Sequence, residues 1–342
     1  MQESTLKSVR ESLVERRSTL SQWIGEAPAD DKALALGPLE APAVDSHIAS
    51  LDESIARADA HTLGLCTVCH DYVDSARLEV DYTASVCLEH LSQEEADGLE
   101  RELELAKTVQ RSFLPQAEPR IPGLDVAAFS RPAQFVGGDY FDFVPFASGD
   151  HGLAIGDVAG HGVSASLHMA SLQALFHAIV PARHSPSEVI HQIHRLFIHN
   201  SHYPTFVTLF LAAYSPSTRS LTYCNAGHNP PLVVRAGRAG EPRFEWLNPT
   251  AAAIGLVEAA EFDERSLTLV PGDILVMYTD GVVEAANEAA DLFGTRRLVE
   301  AVMSRFDASP REIVRALTAS LESFSGGKPL ADDATLVVGR VS

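Results

Sequence analysis

Basic residues are scarce in this chain. Its 342 residues include 26 lysines and arginines against 46 aspartates and glutamates, a formal charge of −20. A DNA duplex or an anionic bilayer needs a basic face, so direct DNA binding and attachment to such a membrane are excluded as general modes. Long apolar runs are missing too. No stretch of about 18 apolar residues is evident, and the segment QESTLKSVRESLVERRS after Met1 lacks the apolar centre of a signal peptide. The expected compartment is the cytoplasm. Only four cysteines are present, which without an export signal argues against a disulfide framework. P-loop and dinucleotide glycine patterns are absent. No cysteine opens a CxxxxxR loop.

Three of the cysteines crowd together. Cys66 and Cys69 form a CxxC pair, and Cys87 and His90 form a CxxH pair after an intervening ribbon. The spacing predicts a tetrahedral structural Zn²⁺ site, with His61 and His70 as alternative fourth ligands. Cys224, within SLTYCNAG, reads as a small buried side chain. Ahead of this module, Leu6, Val9, Leu13, Leu20 and Trp23 mark an amphipathic helix over residues 4–24. Residues 25–44 read as a loop. A second helix is predicted from Asp45 with Ile48, Leu51, Ile55 and Ala58 on one face, giving an antiparallel hairpin. From Ser92 to Leu114, Leu99, Leu103, Ala106, Gln110 and Phe113 recur at steps of four and three, the seam of a coiled coil. Pro115 ends it.

Beyond Leu124 the pattern turns to short alternating strands interrupted by pairs of helices. It predicts an α+β sandwich of two antiparallel sheets flanked by helices. The chain thus divides into a regulatory module (1–91), a linker helix (92–114) and a sandwich domain (115–342).

The chemistry concentrates at strand ends. Asp139 in VGGDYFDF, Asp157 in IGDVAGHG, Asp280 in YTDGVVEA and the pair Asp332–Asp333 before ATLVVGRV each follow or precede an apolar strand. Four acidic sites so placed suggest one convergent cluster. Carboxylates without histidine or thiolate suit Mg²⁺ or Mn²⁺ rather than zinc or copper.

The ordered series VGGDYFDF, IGDVAGHG, NAGHNPP, GDILVMYTDGVVEAAN, FGTRRL and DDATLVV resembles the RsbU/SpoIIE group of metal-dependent, protein phosphatase 2C-like (PPM) serine/threonine phosphatases. The resemblance covers residues 103–342. It implies that Asp157 bridges two metal ions, with Asp139 and the Val158 carbonyl on one and Asp280 and Asp332 on the other; Asp333 is the lesser candidate. Asp157 and Asp139 are then the catalytic carboxylates, with His161 a candidate proton donor to the leaving serine oxygen. His228 reads as a turn and packing residue. The implied substrate is a phosphorylated anti-sigma-factor antagonist of the STAS type, and the linker helix is implied to promote homodimerisation. The hairpin running into the cysteines resembles the DksA/TraR zinc-finger proteins, whose relatives bind RNA polymerase. His90 stands where that family has its last cysteine. The rival reading is a catalytically silent phosphatase fold acting as a scaffold on RNA polymerase or another partner. Intact Asp139, Asp157, Asp280 and Asp332 argue against silence.

Overall fold

The computed structural model describes residues 3–26, 41–73, 84–160, 162–200, 205–235, 243–328 and 330–342. It forms two compact units, Met1–Glu102 and Leu103–Ser342.

In the first unit, α1 (Glu3–Glu26) and α2 (Ala41–Asp59) form the predicted antiparallel hairpin. Arg10 pairs with Asp59 at 2.5 Å and Arg17 with Asp52 at 2.9 Å. These pairs are exposed and contribute little. The hairpin is held by its apolar stripe, where Leu13, Leu51, Ala58 and Leu63 are buried. Helix α2 begins at Ala41 rather than at Asp45, because Pro42 is tolerated in a first turn. The interhelical loop (27–40) and the ribbon between the cysteine pairs (74–83) lie outside the described residues. Helix α3 (Gln93–Phe113) begins in this unit and ends in the next.

The second unit has four layers. One sheet has the order β1 (Leu124–Arg131), β10 (Ala334–Val341), β9 (Ile274–Tyr278), β6 (Leu232–Arg235), β7 (Arg243–Trp246). The other runs β2 (Tyr140–Asp142), β3 (His151–Val158), β4 (Val207–Ser215), β5 (Ser220–Ala226), β8 (Arg265–Thr268). Neighbouring strands pair antiparallel throughout. Between the sheets, Phe141, Leu153, Ile155 and Phe210 meet Val126, Val233, Leu275 and Val337. Alternate residues of the same strands face outward under helices, as the period of two requires.

Helices α4 (Gly162–Ile179) and α5 (Pro186–Asn200) cover the β3–β4 sheet with Met169, Leu172, Phe176, Ile190 and Ile193. The segment Gly162–Ala182 is long and apolar enough to cross a membrane, where no apolar run of about 18 residues was expected. Its buried residues pack in this layer. The other sheet is covered by α7 (Gly294–Met303) and α8 (Pro310–Ser325), through Leu298, Val302, Ile313 and Leu317. Helix α8 starts with a full capping box between Ser309 and Glu312. Between β9 and α7 stands a single turn, α6 (Asp280–Val283).

Candidate functional site

The two sheets each bring carboxylates to one end of the sandwich. Asp139 precedes β2 and Asp157 is the penultimate residue of β3, while Asp280 follows β9 and Asp332 precedes β10. Burial first, then the charges of Asp280, Asp332 and Asp333, push Asp157 up to about 8. Asp139 is held well above the usual carboxylate range by burial and by Asp157. Asp280 is raised by burial and by Asp332. The sequence-predicted aspartates therefore share one self-repelling cluster, which bound cations relieve.

The main chain is shaped to the same end. A Cβ on Gly138 would stand 2.8 Å from the Val158 carbonyl oxygen and 3.3 Å from an Asp157 carboxylate oxygen. Only glycine lets the loop approach that closely. The donors are all oxygen, the set hard divalent ions take. A centre for two ions about 3.5–4 Å apart spreads its ligands. Among the described residues, only the cysteine–histidine set brings three or more ligand atoms mutually within 4.8 Å.

Asp333 does something else. Its oxygens accept the backbone N–H of Ala133 at 2.8 Å and of Gly138 at 2.6 Å. Both oxygens are thus committed to the loop that carries Asp139, while Asp332 accepts the Asp333 N–H at 2.8 Å. A Cβ on Gly281 would meet the Asp333 carbonyl oxygen at 2.0 Å, so glycine after Asp280 is required by packing. His161 lies outside the described residues, between Gly160 and Gly162 with φ of 107° and 67°.

Two supports were not foreseen. The Thr279 hydroxyl donates to Asp139 at 2.8 Å and accepts the Thr335 N–H at 2.9 Å, tying the carboxylate before β2 to the backbone of the other sheet. The Gln110 amide donates to the Gly137 carbonyl at 2.5 Å and accepts the Gly137 N–H at 3.1 Å. Threonine before Asp280 was a visible signal; a glutamine at a heptad seam was not.

In the first unit, Cys66, Cys69, Cys87 and His90 converge. The Cys69 and Cys87 sulfurs are 3.8 Å apart, and His90 Nδ1 lies 3.1 Å from Cys87 Sγ and 3.9 Å from Cys66 Sγ. Tetrahedral zinc with bonds of about 2.0–2.3 Å separates its ligands by roughly 3.4–3.8 Å. The Val68 N–H points at Cys66 Sγ from 3.4 Å, a donor that steadies a thiolate. This set can hold zinc, with His90 rather than His61 or His70 in the cluster.

The profile of the family described as Stage II sporulation protein E (SpoIIE) matches residues 147–342, more than half of the chain. Phosphoserine phosphatase RsbU of Bacillus subtilis is 29% identical over 244 residues, 71% of this chain and 70% of RsbU. Protein IcfG of Synechocystis is 29% identical over 277 residues, 72% of this chain, which spans only 43% of IcfG. The crystal structure of the RsbU and RsbW domains of Rv1364c from Mycobacterium tuberculosis superposes with a TM-score of 0.56 at 28% identity, covering 67% of this chain and 63% of that one. With its two antiparallel sheets between helix pairs, the chain belongs to the SpoIIE family of PPM-type serine phosphatases.

Proposed function

We propose that this protein hydrolyses phosphoserine or phosphothreonine on a protein substrate, an anti-sigma-factor antagonist of the STAS type. The similarity to RsbU supports the substrate class. The observation that carries the chemistry is the convergence of Asp139, Asp157, Asp280 and Asp332 at strand ends of the two sheets, with the Gly138 loop set against the Val158 carbonyl and the Asp157 carboxylate. Asp139, Asp157 and the Val158 carbonyl would hold one divalent ion, and Asp157, Asp280 and Asp332 a second, Mn²⁺ or Mg²⁺. Such a pair supplies Lewis acidity toward water and toward the phosphoryl oxygens.

The chain's own residues set the geometry for this. Thr279 orients Asp139 through its hydroxyl. Asp333 keeps the Gly137–Gly138 loop against Val158 through two N–H bonds. Asp157 sits between the carboxylates of both sheets, where bound cations would favour its ionised form. His161 is the proposed donor to the leaving oxygen.

Zn²⁺ on Cys66, Cys69, Cys87 and His90 is the proposed structural metal of the first unit. The linker helix, bonded to Gly137 by Gln110, is the proposed route by which that unit acts on the phosphatase site, and its seam the proposed homodimer contact.

The test is turnover of a phosphoserine peptide and of p-nitrophenyl phosphate across Mn²⁺ and Mg²⁺ concentrations, beside Asp157→Asn. Metal-dependent hydrolysis abolished in the variant is expected. Silence in the full chain and in a fragment from residue 92 onward would overturn the reading.

A further inference from the structure

His228 carries the one buried side-chain nitrogen or oxygen without a hydrogen-bond partner among the described residues, its Nε2. The ring is 2% exposed. A buried polar atom left unpaired is destabilising and calls for an explanation. Packing gives none, because an apolar side chain of similar volume would fill the space without that cost.

The surroundings hold the ring in one place. Gly227 before it has a left-handed φ of 70°, and a Cβ there would lie 2.9 Å from Ala253 N. The buried Asn225 side chain accepts the His228 N–H at 2.8 Å and donates to the His228 carbonyl at 3.1 Å and to the Leu247 carbonyl at 3.0 Å. With its main chain gripped on both sides, the ring points between the sheets. On one side Nδ1 is 2.9 Å from the Thr208 hydroxyl. Thr208 lies directly across the β3–β4 ladder from Asp157, and its hydroxyl is 3.5 Å from the Asp157 carbonyl oxygen. On the other side the ring faces the main chain of Tyr278, which Nε2 approaches without completing a hydrogen bond. Tyr278 ends β9, two residues before Asp280.

The geometry points to His228 as a positioning residue that braces the β3–β4 wall bearing Asp157 against the β9 end bearing Asp280, and so sets the spacing of the two halves of the metal centre. The inference rests on the phosphatase reading above. Burial pushes the imidazole down to about 4, so the brace stays neutral near pH 7. The Thr208 hydroxyl lies between Nδ1 and the Asp157 carbonyl oxygen, and Nε2 is left on the side of the β9 strand end. His228 touches neither substrate nor ion; it acts through Thr208 and the Tyr278 backbone.

The test uses full-length protein and reads Mn²⁺ binding directly, by calorimetry and by the paramagnetic resonance of free Mn²⁺. His228→Leu removes both ring nitrogens. Thr208→Val removes only the partner hydroxyl and keeps the strand-forming shape, which guards against a variant that fails to fold. Each is expected to weaken Mn²⁺ binding about tenfold, the lower range for residues that orient metal ligands. Substrate KM at saturating metal stays unchanged. The double variant is expected to bind no more weakly than the worse single one, because both changes cut the same link. His228→Asn, which can still bond Thr208, should recover part of the loss. If folded Thr208→Val and His228→Leu bind Mn²⁺ within twofold of wild type while melting lower, the ring is only packing and the proposal fails. Wild-type protein that binds no Mn²⁺ would instead bring down the phosphatase reading, and this inference with it.

Discussion

Replacing Gly137 by alanine isolates the contact that holds the Asp139 loop. The glycine does not have a left-handed φ, so the backbone itself accepts alanine. The obstacle is steric: the new Cβ would stand 2.0 Å from Oδ2 of Asp333, 2.4 Å from its Cγ and 2.6 Å from its Oδ1. Ordinary contact needs well over an ångström more, and the carboxylate cannot yield that far without leaving Ala133 and Gly138, whose N–H groups it binds at 2.8 and 2.6 Å. Hydrogen bonds to a charged group contribute about 1.5–3 kcal/mol each. The gross loss is therefore roughly 3–6 kcal/mol. Asp333 recovers part of it, because its carboxyl is already raised by burial and by Asp332 and gains solvent on moving. A net cost of about 3 kcal/mol would lower Tm by roughly 6–12 °C for a unit of this size. Thermal unfolding of the full chain in a chelating buffer measures it. The decisive comparison is the Asp333→Ala background, where the clashing atoms are gone and Gly137→Ala should cost less than about 0.5 kcal/mol. An equal cost in both backgrounds would refute this account of the loop.

Three further outcomes follow from the same structure. Because Asp157 is raised from 3.8 to about 8 in the folded chain, its protonated form stabilises the metal-free fold fully below about 4, and that stability is lost as pH rises through about 8. Asp139 and Asp280 are shifted the same way. Tm in chelator should thus fall between about pH 4 and 8, with Asp157→Asn flattening the slope; a rising Tm across this window would contradict the assignment. Purified protein should carry about one zinc per chain, and Cys66→Ser or Cys87→Ser should lose it along with the cooperative melting of the α1–α2 unit. Full zinc retention in both variants would exclude the site. Gln110→Ala, which removes the two bonds to Gly137, should raise the Mn²⁺ concentration for half-maximal turnover by severalfold while leaving substrate KM unchanged; a changed KM alone would point elsewhere.

Much of this was legible in the sequence because the signals were local. Apolar runs bounded by glycine, proline or polar turns placed β3, β4, β5 and β10, and the aspartates beside these runs marked the proposed ligands at strand ends. The CxxC and CxxH spacing brought the right four residues together. What escaped depended on side chains choosing distant partners. The stretch DYFDFVPF reads as one strand, yet the strand proper is Tyr140–Asp142 and only an isolated Pro145–His151 bridge follows it; between them the Asp142 carboxylate turns back to accept the Phe143 N–H and the Tyr140 hydroxyl. Asp280 follows its strand as expected, and it also opens a helical turn that the strand pattern did not announce. Gln110 occupied a seam position by spacing, but its amide bonds Gly137, while Leu105 and Val109 on the same helix are 64% and 46% exposed. Nor could periodicity separate Asp332 from Asp333; their roles diverge only because Ala133 and Gly138 reach one and not the other.

The partition of carboxylates between two sheets bears on the order of events in folding. Asp157 belongs to one sheet, and Asp280 and Asp332 flank strands of the other. The proposed centre would therefore not exist until the sheets have stacked, which would put ion capture on the native side of the folding barrier. A ligand that binds only after the transition state leaves the refolding rate alone and slows escape from the native state. Metal-free and loaded chains would then fold equally fast and differ in how long they stay folded.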